Sequence, residues 1–187
     1  MNKIFRFILL CLLTRIVMTD SFAKVHANTI TPELNSKITL VKASDIIENN
    51  QGAEAGQLIK AYLRIKDALV AADQVQAGKA GKALAEALMY LEKNGDQNAF
   101  GKTGKAALKS ALSISNAADI KLQRKAFKDL SESMYQWLKN NHSSVTLYLD
   151  YCPMAKASWL SDRKEIENPY YGQSMLSCGT IKDTLNP

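Results

Sequence analysis

The sequence predicts a mainly α protein, an antiparallel bundle of about four helices carrying a short strand and an irregular C-terminal loop region. Four successive segments between residues 58 and 138 repeat apolar residues at three- and four-residue steps, the spacing of helices with one buried face. The breaks between them are short, which favours antiparallel neighbours. Only after residue 145 does the period fall to two.

Residues 1–27 read as a secretory signal. Lys3 and Arg6 precede the apolar run 7-FILLCLL-13, and small residues for cleavage follow at Ala23 and Ala27. Arg15 cuts the apolar run well short of the roughly 20 residues that a membrane span needs, so no stable membrane insertion is expected after cleavage. Cys11 lacks the small residues before it that a bacterial lipoprotein site requires. The expected location is therefore outside the cytoplasm, in a bacterial periplasm. Residues 28–50 are polar and loosely patterned, with Pro32, Asn35, Asn49 and Asn50, and read as a flexible leader with one short helix near 43–49.

The domain proper is expected over 51–187, a length that suits a single core. Leu58, Tyr62, Ile65 and Leu69 form the first helical stripe, widened by Ile59, Leu63 and Val70. Asp73, with Gln76 three residues on, opens a second helix as a capping box. Its stripe is Ala80, Leu84, Leu88 and Leu91, and Asn94-Gly95 stops it. A third, alanine-rich helix is expected from about 103 to 116, with Ala107, Leu108, Ala111, Leu112 and Ile114. The fourth has the strongest face, made of Ile120, Phe127, Leu130, Met134, Trp137 and Leu138. Lys121, Arg124, Lys125, Lys128 and Asp129 are expected to point outward.

In 145-VTLYLDYC-152 apolar and polar residues alternate, which predicts an extended strand. Beyond it, Pro153, Pro169, Gly172 and Gly179 predict ordered loops with at most one short hairpin. Loss of residues 1–27 removes four basic residues and one acidic one, and lowers the formal net charge from +6 to +3. No basic run interleaved with aromatics remains, so nucleic-acid binding is not expected.

The chemistry worth following is sulfur. Once Cys11 is gone, the cysteines are Cys152 and Cys178, within a sulfur-rich segment at 145–181. Each has a methionine nearby, Met154 two residues after the first and Met175 three residues before the second. Pro153 pushes Cys152 into an extended conformation, in which residues two apart share a face. Met175 and Cys178 share one if the chain makes a turn-like step. Four converging sulfurs would make a soft donor set, selective for Cu(I) or Ag(I) over magnesium, calcium or manganese.

Spacing alone leaves other outcomes open. Two cysteines in an exported chain commonly pair, and closing this loop as a disulfide would stabilise by about 3–4 kcal/mol in the chain-entropy model. Free thiols with methionine as gap-filling core are a third outcome. His142, ten residues before Cys152, is a possible further ligand or simply a C-terminal helix residue near the negative dipole end. No G-x-S-x-G, H-E-x-x-H, C-x-x-C or phosphate-binding glycine loop is present. Asp150, Asp162, Glu165 and Glu167 cluster in sequence and read as a solvated loop, so an enzyme is not the expected class.

The segments 61-AYLRIKDALVAAD-73, 126-AFKDLSESMYQWL-138 and 147-LYLDYCPMAKASWLSDRKEIENPYYGQSMLSCG-179 resemble a bacterial family of uncharacterised exported domains. These domains occur alone or attached to periplasmic adaptor subunits of copper/silver efflux pumps. The resemblance covers roughly residues 55–181 and rests most on the order C-P-M-A, W-L-S, I-x-N-P-Y-Y-G, M-L-x-C-G. The matching positions are Cys152, Pro153, Met154, Trp159, Asn168, Pro169, Tyr170, Tyr171, Gly172, Met175, Cys178 and Gly179. Y-C-P-M is also similar to the start of a heavy-metal motif of other copper proteins, in which a histidine stands where Ala155 does here.

The resemblance implies a soft-metal module, binding or buffering Cu(I) or Ag(I) beside an efflux adaptor through Cys152, Met154, Met175 and Cys178. Asn168-Pro169 and Gly172 would turn the chain so that the second sulfur pair returns to the first. Tyr170 and Tyr171 would shield the site or pack on the bundle. The alternative is a structural or interaction domain of the envelope, stapled by a Cys152–Cys178 disulfide, with no metal role.

Overall fold

The computed structural model describes the backbone from Ala43 to Pro187 and side chains from Ala55 onward. The expected signal at 1–27, its cleavage after Ala23 or Ala27, and the leader as far as residue 42 lie outside the described residues. Four helices follow in order: α1 (Ala43–Val70), α2 (Gln74–Asn94), α3 (Gln97–Ser115) and α4 (Ile120–Asn141). After them come strands β1 (Leu147–Cys152) and β2 (Ala157–Ser161), a 3₁₀ turn at Gly172–Met175, and β3 (Thr180–Leu185). Among the described residues no helix is long and apolar enough to cross a membrane.

The short helix expected near 43–49 is the opening of α1, continuous with the stripe at Leu58–Leu69. Local capping chemistry sets the other boundaries. Asp73 accepts a hydrogen bond from the Gln76 amide at 2.9 Å, and the Gly95 amide closes α2 on the Leu91 carbonyl at 2.8 Å. Asp96 caps α3 through the Asn98 amide, and Asp119 caps α4 through the Leu122 amide, both at 2.8 Å. Helix α3 starts six residues earlier than the alanine-rich pattern suggests. The early part, holding the buried Phe100, is joined through a non-helical Gly101 (φ 49°) to the regular part.

Consecutive helices pack side by side, α1 on α2, α2 on α3 and α3 on α4. The apolar stripes meet in one core that includes Leu58, Tyr62, Ile65, Leu84, Leu88, Ala107, Ile114, Phe127, Leu130 and Met134. Leu112, expected in that stripe, is exposed. Arg124, expected to point outward, is half-buried. It donates from Nη2 to the Leu69 carbonyl and from Nε to the Pro169 carbonyl, both at 3.0 Å, and so joins α1, α4 and the C-terminal loop.

The C-terminal region is more regular than its sequence suggests. The three strands form one antiparallel sheet in the order β2-β1-β3, with β1 central. Tyr148 faces Ser161 and Cys152 faces Ala157 across the hairpin; Leu147 faces Leu185 and Tyr151 faces Thr180 on the other side. A register shift between Leu149 and Asp150 interrupts the β1–β3 pairing. Strand β2 packs on α4. Leu147, Cys152, Trp159 and Leu160 join the same core as the helices, so bundle and sheet share one interior.

Candidate functional site

Sheet pairing brings the two cysteines together. Cys152 ends β1, and Cys178 lies two residues before β3, which runs antiparallel beside it from Tyr151↔Thr180. The sulfurs are 2.9 Å apart. Cys152 is fully buried, whereas Cys178 is partly exposed. Among the described residues both are free thiols.

The chain returns to Cys152 through a compact turn built on Asn168, which is itself fully buried. Its Oδ1 accepts from the amides of Tyr170 (2.9 Å) and Tyr171 (3.3 Å), and its Nδ2 donates to the Cys178 carbonyl at 2.7 Å. Its own amide donates to the Leu176 carbonyl, and its carbonyl accepts from the Gly172 amide. One asparagine thereby fixes the start of the loop, the 3₁₀ turn and the second cysteine. Gly172 adopts φ 56°, and a Cβ there would lie 2.9 Å from both Arg124 Nη2 and the Val70 carbonyl oxygen. Only glycine meets both the backbone and the space requirement.

Three aromatics frame the site. Trp159 is fully buried, and a Cβ at Gly179 would lie 2.8 Å from its ring, so the residue after Cys178 passes directly over it. Tyr170 meets Trp159 edge-on, with centroids 5.9 Å apart, leans on Phe127, and donates to the Ser158 carbonyl at 2.5 Å. Tyr170 therefore packs against the bundle. Tyr171 instead donates to the Met154 carbonyl at 3.2 Å, tying the 3₁₀ segment to the turn that follows Cys152.

The methionines are placed differently from the cysteines. Residues 153–156 form the β1–β2 turn, with Lys156 at φ 48°, so the extended run that would align Met154 with Cys152 ends at Cys152. Met154 is 62% exposed, and Met175, at the end of the 3₁₀ turn, is partly buried. His142 is an exposed residue at the C-cap of α4, with φ 56°, beyond the opposite end of β1 from Cys152. Among the described residues, no three of His, Cys, Asp and Glu gather in a metal-holding group.

The two thiols differ in acidity. Burial pushes the Cys152 thiol up. Hydrogen bonds from the Cys178 thiol, the Ala155 amide, the Asn168 side chain and the Met154 backbone outweigh it and hold Cys152 below its ordinary value. The Cys178 thiol is raised by its hydrogen bond to Cys152, then by burial and by repulsion from the Cys152 thiolate.

A second polar group lies under the sheet, and the sequence pattern pointed away from it. Asp150, expected in a solvated acidic cluster, is fully buried, and among the described residues neither carboxylate oxygen has a hydrogen-bond partner. Burial raises it to about 7, with the Lys66 ammonium pulling the other way. Lys66 is also fully buried and pairs with Asp67 (2.7 Å) and Glu167 (3.2 Å). Arg163 closes that network on Asp67 and Glu167. Lys66 falls four residues after Tyr62, on the buried face of α1, whereas Asp150 stands among the polar residues of the β1 alternation. Charge argued for the surface at both, and Lys66 is buried because carboxylates from α1 and from the 162–167 loop meet it there.

Fold and site together define a class: a helical-bundle domain whose C-terminal sheet carries a contacting pair of thiols at the end of its central strand. Residues 58–146 match the model of a family described as a protein of unknown function (DUF3347). The match spans the C-terminal part of α1, all of α2, α3 and α4, and stops just before β1, so the strand and turn residues that bear the two cysteines lie beyond it. No curated protein and no solved structure matches the chain.

Proposed function

We propose that this is an exported soft-metal module, in which the reduced Cys152–Cys178 pair holds Cu(I) or Ag(I) for buffering or delivery beside a periplasmic adaptor of an efflux system. The observation that carries the reading is the meeting of two thiols, one buried and one partly open to solvent, at the end of the central strand. Their chemistry fits a soft cation, and thioethers stand on both flanking turns, at Met154 and Met175. The spacing adds a condition. With metal–thiolate bonds near 2.3 Å, sulfurs 2.9 Å apart would subtend only about 80° at a shared ion, so loading must spread them.

The same separation favours a second reading, a structural disulfide between the end of β1 and the approach to β3. A shift of about 0.9 Å brings the sulfurs to bonding distance. In that reading Trp159 serves packing, the partly exposed Tyr171 serves partner contact, and metal has no role. One titration separates the two. Reduced protein in a Cys11→Ser background is titrated with Cu(I) against a competing chelator, beside Cys152→Ser and Cys178→Ser. Stoichiometric binding that either serine variant weakens at least a hundredfold is the expected result. Equal, weak binding by all three proteins, together with a native mass two protons light, would leave the staple.

A further inference from the structure

We propose that external thiols exchange at Cys178 and not at Cys152, so that a thiol reductant opens the oxidised pair by attacking Cys178 and releasing Cys152. The inference rests on the Proposed function only in taking Cys152 and Cys178 as the working pair; it concerns how that pair passes between its closed and metal-competent forms. The two sulfurs are in direct contact but unequally placed. Cys152 is fully buried opposite Ala157, on a strand paired on both sides. Cys178 lies outside regular structure, partly exposed, between the 3₁₀ turn and β3. Displacement at a disulfide runs in line with the S–S bond, so the nucleophile must reach the sulfur at the solvent end.

The leaving sulfur is equally well defined. Cys152 Sγ accepts from the Ala155 amide at 3.4 Å, a donor held in the β1–β2 turn independently of Cys178. Tyr171, donating to the Met154 carbonyl, braces that turn from the other side. Charge released onto Cys152 thus arrives beside an amide already aimed at it. In the first step an external thiolate bonds to Cys178 Sγ, the S–S bond breaks, and its electron pair leaves on Cys152. In the second step another external thiolate attacks the outer sulfur of the mixed disulfide and releases Cys178. Two thiols become one external disulfide, and the protein gains two electrons and, on protonation, two protons.

The test keeps metal out, so that it can fail while metal binding stands, and the reverse. Full-length protein in the Cys11→Ser background is oxidised with diamide, freed of metal by EDTA, and treated briefly with reduced glutathione. N-ethylmaleimide then traps free thiols before peptide mapping. Glutathione on Cys178 with maleimide on Cys152 is expected in at least tenfold excess over the reverse. Equal or inverted labelling, or failure of the pair to oxidise, overturns the proposal. A second arm reacts Cys152→Ser and Cys178→Ser with glutathione disulfide, native and in urea. Cys178 should react at least tenfold faster than Cys152 when native and at a similar rate when unfolded. A native bias below twofold overturns the proposal equally.

Discussion

The helical bundle and the C-terminal sheet share one core, but they are held in different ways. In the bundle, contacts repeat: an apolar residue every three or four positions meets its neighbour's stripe, and α2, α3 and α4 each begin at an aspartate cap. In the C-terminal layer nothing repeats. Asn168 fixes three segments, Arg124 joins three, and Gly172 fits a space no other residue can enter. Distributed apolar contacts tolerate the loss of one member better than a polar network whose members have no substitutes. The layer that positions the cysteines is thus the less forgiving part of the molecule.

The largest expected effect breaks that contrast at its seam. Trp159→Ala removes a fully buried side chain lying between sheet, loop and Tyr170, and should destabilise by about 3–5 kcal/mol. Trp137, in α4, remains as a fluorescent reporter of the bundle. Because the two regions share one core, urea unfolding followed by that fluorescence and by helical circular dichroism should give a single, coincident transition. Two separated transitions would show the sheet to be an independent unit.

A second, smaller effect sharpens the contrast by using charge. Asp150 is raised to about 7 when folded and titrates near 3.8 when unfolded. Below about pH 4 both states hold the proton. Between about 4 and 7 the unfolded chain ionises first, so the unfolded state binds fewer protons and stability falls as pH rises. The decline should level off above about 7. Asp150→Asn should flatten this portion of the profile relative to the parent, read as urea midpoints at several pH values. Parallel profiles for the two proteins would mean that Asp150 is charged in the folded state.

The smallest expected effect belongs to the bundle. Asp73→Ala removes one exposed helix cap and should cost about 1 kcal/mol, since the rest of α2 is held by its buried stripe. A thermal melt should show a modest loss with cooperativity unchanged. A loss as large as that of Trp159→Ala would erase the distinction between the regions.

Much of the bundle was legible because helices are local objects. Asp73 with Gln76, Asn94-Gly95 and the stripe from Phe127 to Leu138 each act within a few residues, and the structure keeps them. The early start of α3 was less visible, because Gly101 breaks the pattern that joins Phe100 to the rest. The C-terminal layer was legible only in parts. Alternation gave β1, but pairing rather than periodicity makes β2 and β3 strands. Arg124 reads as a surface cation until the Leu69 and Pro169 carbonyls are brought to it.

By itself the sequence determined that four amphipathic helices would share a core, where most of them start and stop, and that sulfur residues would crowd the last quarter of the chain. Tertiary structure decided which sulfurs meet. The 25 residues between Cys152 and Cys178 carry no local rule that places one against the other. Pairing of β3 with β1, and the turn held by Asn168, bring them to 2.9 Å while the chain at residues 153–156 turns after Cys152 and leaves Met154 exposed. Contact between distant residues is set by hydrogen bonds and burial that exist only once the whole chain has folded. The resulting inequality between a buried and an open thiol is therefore a property of the fold.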